Sequence, residues 1–283
     1  MPPVGTALED CTWAEISAIA QAGLAETYFS IGDKKSVHIK GTVGTVDIDA
    51  TYYVTIIDFD HLSENTIDFM AFSVLHEGGT DIALTDGNLG KSSTDGTKYF
   101  NMNHSSNKNT GGWKDCDLRC DILGSVREKG LNAGSISLET PPANTLMAAL
   151  PADLRAVMKM MLVYTDNVAG NTQDASNVTG TYDYLILPSE FEVCGEIFKS
   201  NPAEGTNIGA TSKPKQKWYT YFADANSRKK YKDTDPDAAT YWLLRSPYAT
   251  SAANFCVVST SASVNNGGNA ASMARGISPI FRV

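Results

Sequence analysis

Three stretches carry residue types that could do chemistry. Asp58-Phe59-Asp60-His61 puts two carboxylates and an imidazole within four positions, the donor types of a divalent-cation site. It closes a run of alternating apolar residues, and charged side chains at a strand end normally turn to water; that is the expectation here. Asp233-Thr234-Asp235-Pro236-Asp237 opens like a calcium loop. Ala238 stands where that loop requires glycine and Leu244 where it requires its closing glutamate, so calcium is not expected. The cysteines, Cys11, Cys116, Cys120, Cys194 and Cys256, are odd in number and widely spaced, which argues against a disulfide scaffold and for buried free thiols in a reducing cytoplasm. Cys116 and Cys120 are four apart, but no Cys or His pair completes a zinc set. His38, His61, His76 and His104 all fall in the first half, with no sign of a relay. There is no Gly-x-Ser-x-Gly elbow, phosphate loop or Gly-x-Gly-x-x-Gly turn. The residues therefore predict no catalysis, no metal and no cofactor.

Composition narrows the remaining classes. The chain has 283 residues, a net charge of -9 and 42% hydrophobic content, within the range of a folded soluble protein. The acidic balance argues against nucleic acid, since the one dense basic run, Arg228-Lys229-Lys230 with Lys232, is followed at once by Asp233, Asp235 and Asp237. No apolar run is long enough for a membrane helix, and no leader of secretory type is read at the start. One α+β domain spanning 1–283 is expected, without repeats or an internal linker.

The elements that would position any site read as follows. Thr12 and Glu15 form a capping box ahead of the stripe Trp13, Ile16, Ile19 and Ala20, and Gly23 stops that helix. Residues 36–40 and 47–59 alternate as strands, with Gly41 and Gly44 at the turn between them. Residues 66–75 form another apolar run, and Ile82-Ala83-Leu84 a short strand. A helix is predicted to begin at Gly111-Gly112-Trp113, with Asp117 and Arg119 on a solvated face. A second is predicted over 151–163, from Leu154, Val157, Met158, Met161 and Leu162. Residues 182–187 read as a buried strand ended by Pro188, and Ser189 as the cap of a short helix. Residues 218–222 are expected to pack on the core, and 224–239 to be loop.

The last stretch, 241–283, is the most unusual. Tyr241-Trp242-Leu243-Leu244-Arg245-Ser246-Pro247 reads as a buried strand, and Ile277, Phe281 and Val283 as a core strand at the chain end, where fraying is normal. Between them lies a segment of mostly Ala, Ser, Thr, Asn and Gly, and no Asp or Glu follows Asp237. Short side chains cost little rotamer entropy to order. The plain reading is a surface loop held by apolar anchors.

The order of several pieces resembles the C-type lectin-like fold in its bacterial and phage form, shared by formylglycine-generating-type domains and the variable proteins of diversity-generating retroelements. The pieces are Ser30-Ile31-Gly32-Asp33, Gly111-Gly112-Trp113 leading to Asp117-Leu118-Arg119, Leu185-Ile186-Leu187-Pro188-Ser189-Glu190, the 241–247 strand and Gly276-Ile277-Ser278-Pro279-Ile280-Phe281-Arg282-Val283. The resemblance implies mixed antiparallel sheets with two or more packed helices. It also implies a ligand-binding protein whose terminal segment is diversified, most at asparagine codons, on a fixed frame. The positions it singles out are Tyr248, Ala249, Thr250, Ser251, Asn254, Ser259, Ser261, Ser263, Asn265, Asn266, Asn269 and Ser272, all expected to face solvent. The implied partners are a host cell-surface protein or glycan and other phage tail proteins, in a homotrimeric arrangement. The implied location is a phage tail made in the bacterial cytoplasm, with the bacterial cell surface as the alternative. A formylglycine-generating-type oxidase and a structural virion protein are the competing functions.

Overall fold

Thr12 accepts from the Glu15 backbone while Glu15 reaches back to the Thr12 amide, so the capping box forms and α1 (Trp13–Gln21) starts where the sequence places it. A computed structural model describes residues 1–73, 80–94, 98–132, 136–205 and 216–283, and of 265–269 the backbone only. The expected strand residues Val74 and Leu75, and His76, lie outside the described residues. Further helices are α2 (Ala25–Tyr28), α3 (Gly112–Asp115), α4 (Leu146–Ala149), α5 (Ala152–Arg155) and α6 (Glu190–Cys194). The strands are β1 (Lys34–Val43), β2 (Val46–Phe59), β3 (Ile67–Ser73), β4 (Ile82–Ala83), β5 (Met161–Asp166), β6 (Val178–Asp183), β7 (Lys230–Lys232), β8 (Asp235–Thr240), β9 (Trp242–Pro247), β10 (Asn254–Val258), β11 (Val264–Ala270) and β12 (Ile280–Arg282). The class is α+β, with short helices around several mainly antiparallel sheets. Among the described residues no helix is long and apolar enough to cross a membrane.

The largest sheet runs β1-β2-β3-β12, antiparallel throughout, so the last strand closes the sheet that the first three begin. Phe281 pairs with Phe69 in register, and their rings stack at 5.3 Å. Trp13 of α1 meets both rings edge-on, at 5.4 and 5.9 Å. Each such aromatic pair contributes roughly 0.5–1.5 kcal/mol beyond area burial. The tail is therefore core: Ile277, Phe281 and Val283 are all buried.

Two predicted helices are corrected. Residues 151–163 give one turn, α5, and then turn into β5. The apolar positions there keep the helical period, and strand partners override it. Lys159 donates its amide to the Arg282 carbonyl at 2.8 Å, and β5 then pairs with β6 along its whole length. Val163 and Thr165, both β-branched, suit that strand. The helix beginning at Gly112 lasts one turn, since Cys116 is extended, and resumes as a π-helical turn over Leu118–Leu123. Gly112 sits at φ 55°, and a Cβ there would lie 2.0 Å from the Asp166 carbonyl oxygen, so the chain crossing requires glycine. Residues 224–239 are not simply loop, because they form β7 and β8, with β7 parallel to β4.

The small-residue segment is corrected as well. It contains β10 and β11, which extend β9 into a three-stranded sheet ordered β11-β10-β9. Phe255, Cys256, Val257 and Val258 of β10 are buried, so the middle of the segment is core strand rather than surface loop.

Candidate functional site

Asparagines on the loop 101–110 hold the terminal segment. Asn109, fully buried, donates from Nδ2 to the carbonyls of Ser251 (2.7 Å) and Asn254 (2.8 Å), and its amide donates to that of Ala252 (3.0 Å). Its Oδ1 accepts from Gly170 (3.1 Å). Asn101 Nδ2 donates to the Ser272 carbonyl (2.9 Å), and the Asn103 amide to that of Ala271 (2.8 Å). Backbone groups that a surface loop would leave to water are thus satisfied by buried asparagine side chains and by the backbone amides beside them. Asn103 Oδ1 also accepts from the Asp117 amide (3.0 Å), which couples the loop to the π-helical turn.

Ion pairs fix both ends of the segment. Arg245, in the middle of β9, is fully buried and forks onto Glu192, Nη1 to Oε2 at 2.5 Å and Nη2 to Oε1 at 2.7 Å. Its Nη1 also donates to the Leu187 carbonyl (2.8 Å). Glu192 is the N3 residue of the second capping box, with Ser189, so this pair ties β9 to the start of α6. Arg282 of β12 reaches Asp68 of β3 from Nε (2.6 Å) and Nη2 (2.8 Å), and Tyr219 Oη donates to the same carboxylate (3.0 Å). Nearby, Ser246 Oγ donates to Glu204 Oε2 at 2.5 Å.

Burial pushes the Glu204 carboxyl up to about 8. The native state then holds a proton that the unfolded chain releases near its ordinary value of 4.5. Native proton uptake exceeds unfolded uptake between those values, so this group makes stability fall as pH rises through that window. Glu204→Gln is expected to remove that part of the slope, read as urea unfolding curves of both proteins at pH 5 and pH 8.5. An unchanged difference between the two proteins across those pH values would contradict it.

The residues expected to face a ligand divide into three groups. Thr250, Ser261 and Ser263 are exposed, and Tyr248, Ser251 and Asn254 are half-buried. Ala249, Ser259 and Ser272 are buried, which corrects the expectation that all face solvent. Ser272 is 0% exposed because its hydroxyl is shared with Ser92 (2.7 Å) and its carbonyl is taken by Asn101 and Ser93. Ser259 bonds the hydroxyls of Ser261 and Ser263, both at 2.9 Å, across the turn between β10 and β11. The side chains of Asn265, Asn266 and Asn269 lie outside the described residues; their backbone belongs to β11, with Asn265 opposite Val257 and Asn269 opposite Phe255.

The other motifs also move. Asp58 and His61 are buried rather than turned to water, joined at 2.9 Å, with the imidazole stacked on Tyr219 at 3.7 Å, while Asp60 is exposed and apart. Asp233 of the calcium-like stretch accepts from Thr85 N (2.9 Å) and Oγ1 (2.6 Å), which commits its carboxylate to structure. Arg119 and Asp117 are buried, not solvated: Arg119 Nε donates to Asp183 at 2.8 Å, and Asp117 faces Ser105, His104 and Lys129.

The residue the sequence passed over is His104. It is buried, and its chain neighbours Asn103 and Ser105 line an open cleft of about 430 Å³ together with Lys108, Asp115 and Lys129. Nothing in the spacing of His104 and Asp117, thirteen positions apart, marks them as neighbours. Residues 93–283 match the family described as Domain of unknown function (DUF6273). No curated protein and no solved structure matches the chain.

Proposed function

The chain belongs to the DUF6273 family, and from that premise we propose a non-catalytic binding module that recognises a cell-surface protein or glycan through its terminal segment. The observation that carries this reading is the asymmetry of residues 248–263. Asn109 holds the backbone over 251–254, Ser259 ties the turn over 259–263 and Arg245 anchors β9 ahead of them, yet Thr250, Ser261 and Ser263 are open to solvent. Hydroxyls on a fixed backbone, Thr250 in the turn before β10 and Ser261 and Ser263 in the turn after it, bind through hydrogen bonds and spend little entropy on ordering. Substitution there leaves the packing of the core alone, as a diversified display surface on a lectin-like frame requires. In this proposal the module is part of a phage tail or bacterial surface structure, homotrimeric, beside other tail proteins.

The oxidase alternative calls for reactive thiols. Burial holds Cys256 well above the ordinary thiol range, and Cys116 likewise, which weighs against it.

The test is a triple variant, Thr250→Arg, Ser261→Trp and Ser263→Arg. Its unfolding free energy is expected to stay within about 0.5 kcal/mol of the parent. Retention on intact bacterial cells and on a panel of immobilised surface glycans is expected to drop at least tenfold or change partner. Retention that ignores the triple change, or none on any surface tested, overturns the reading. Protection of these three side chains in the free protein by neighbouring copies would favour the structural virion role instead.

A further inference from the structure

We propose that the outer face of β5 and β6 is the surface on which a second copy of this chain docks. The two strands pair along their length, with Leu162 opposite Tyr182, and their side chains alternate. Met161, Val163, Thr181 and Asp183 point inward and are buried. Met160, Leu162 and Tyr182 point outward and are 37%, 37% and 42% exposed. The solvated side of an antiparallel pair is ordinarily polar, so an apolar one needs a cause. Among the described residues, Leu162 and Tyr182 are the only exposed large apolar side chains within a strand.

Gly180 keeps this face flat. A Cβ there would lie 2.8 Å from Leu162 Cδ1 and 3.4 Å from Tyr164 Cε1, so both side chains spread across the glycine. The edge beside it is closed at Tyr182, whose amide donates to the Asn132 carbonyl at 2.5 Å. At that position β6 has no backbone donor left for an added strand. A partner therefore meets the side chains of the face rather than the backbone of the edge.

Charge selects a second copy as the occupant. The chain carries a net charge of -9, so two copies repel over most of their surface. Met160, Leu162, Tyr164, Gly180 and Tyr182 hold no charge, so here two copies meet without opposing like charges. A basic partner would be drawn to the acidic surface instead, and anionic lipid would be repelled by it. A glycan would set its hydroxyls against the aliphatic chains of Met160 and Leu162. The same face on each copy is self-complementary, about a twofold axis or around a threefold one. Three side chains about two-fifths exposed offer far less than the roughly 800 Å² per partner of a standard interface. The contact is therefore weak between free chains and strengthens where an assembly holds copies side by side. Several copies in one assembly belong to the recognition reading above; the surface that joins them does not depend on what the terminal segment binds.

The experiment is sedimentation velocity of the intact, reduced chain from micromolar to near-millimolar concentration. The mean mass is expected to rise with concentration above that of one chain. Leu162→Glu, which puts a carboxylate on the face, is expected to hold the protein at one chain throughout. Tyr182→Thr, which keeps a strand-favouring residue, is expected to weaken association at least tenfold. Phe198→Ser, which removes a side chain 57% exposed outside any strand, is expected to leave it unchanged. Added salt is expected to strengthen association, since it screens the repulsion between acidic chains. Where circular dichroism shows Leu162→Glu to be misfolded, Tyr182→Thr decides. The inference is overturned by a parent that stays at one chain at every concentration, by association indifferent to both face variants, by equal loss with Phe198→Ser, or by dissociation in salt. It is also overturned by a single chain that sediments with phosphatidylcholine vesicles through Leu162, which assigns the face to lipid. None of these outcomes bears on retention at surfaces, so failure here leaves the recognition reading standing.

Discussion

Replacing Arg245 with methionine is expected to lower the unfolding free energy by about 3–5 kcal/mol. The guanidinium is fully buried, and its fork onto Glu192 is supplemented by bonds to the Leu187 carbonyl and to Thr165 Oγ1 at 3.1 Å. Burial alone would push the Glu192 carboxyl up, but Arg245 outweighs it and holds the group below the ordinary carboxylate range. Methionine keeps much of the volume and removes the charge, leaving Glu192 buried without its counter-charge, so that the fold at neutral pH must hold an unpaired carboxylate or take up a proton. A carboxyl with a depressed native pKa contributes stability above its unfolded value and loses it as pH falls. The gap between wild type and Arg245→Met should therefore be widest at neutral pH and narrow in acid, where Glu192 takes up a proton. Chemical denaturation at pH 7 and pH 4 measures both. The pair Glu192→Gln with Arg245→Met should recover part of the loss, because glutamine keeps the bond to Ser189 without a charge. A loss below 1 kcal/mol at pH 7 would mean that the pair does not anchor β9.

The second large effect is expected at Phe281. Phe281→Ala should cost about 3–5 kcal/mol, the range for truncating a buried aromatic whose cavity cannot collapse. Three features keep that cavity open. Phe69 is fixed in β3, Trp13 is fixed in a capped helix, and β12 is locked in register by Arg282 on Asp68. Phe281→Leu should cost markedly less, since most of the volume returns. Thermal unfolding of the two variants separates packing from strand pairing. Equal losses would point to the backbone ladder, and a small loss from alanine would show that the last strand is not needed to close the sheet. The latter result would also weaken the idea that the terminal segment is held from both sides.

How far the site could be read in advance differs by residue. The Thr12–Glu15 capping box and the Ser189 cap are legible in the sequence, because such partners lie within one turn, and the structure completes the second as a box with Glu192. The burial of 242–247 and of the tail follows from apolar runs that have nowhere else to go. The exposure of Thr250, Ser261 and Ser263 follows from polarity, whereas the burial of Ser259 and Ser272 does not. A serine is small enough to sit inside when its hydroxyl finds partners, and those of Ser272 are the distant Ser92 and Asn107.

The sequence by itself determined the starts of the helices at Trp13, Gly112, Ala152 and Glu190, the two apolar anchors around the terminal segment and the lack of a familiar catalytic motif. Tertiary structure alone decided that 151–163 turns into a strand, that the small-residue segment carries two strands of a sheet, and that His104 meets Asp117 and Asp121. It also decided three buried arginine pairs, Arg245 with Glu192, Arg119 with Asp183 and Arg282 with Asp68, which are separated by 53, 64 and 214 positions. The physical reason is range. Caps and apolar periods act within a turn or along one strand, whereas a buried charge is stabilised only by a partner that the fold brings from elsewhere, and neighbouring residues carry no record of it.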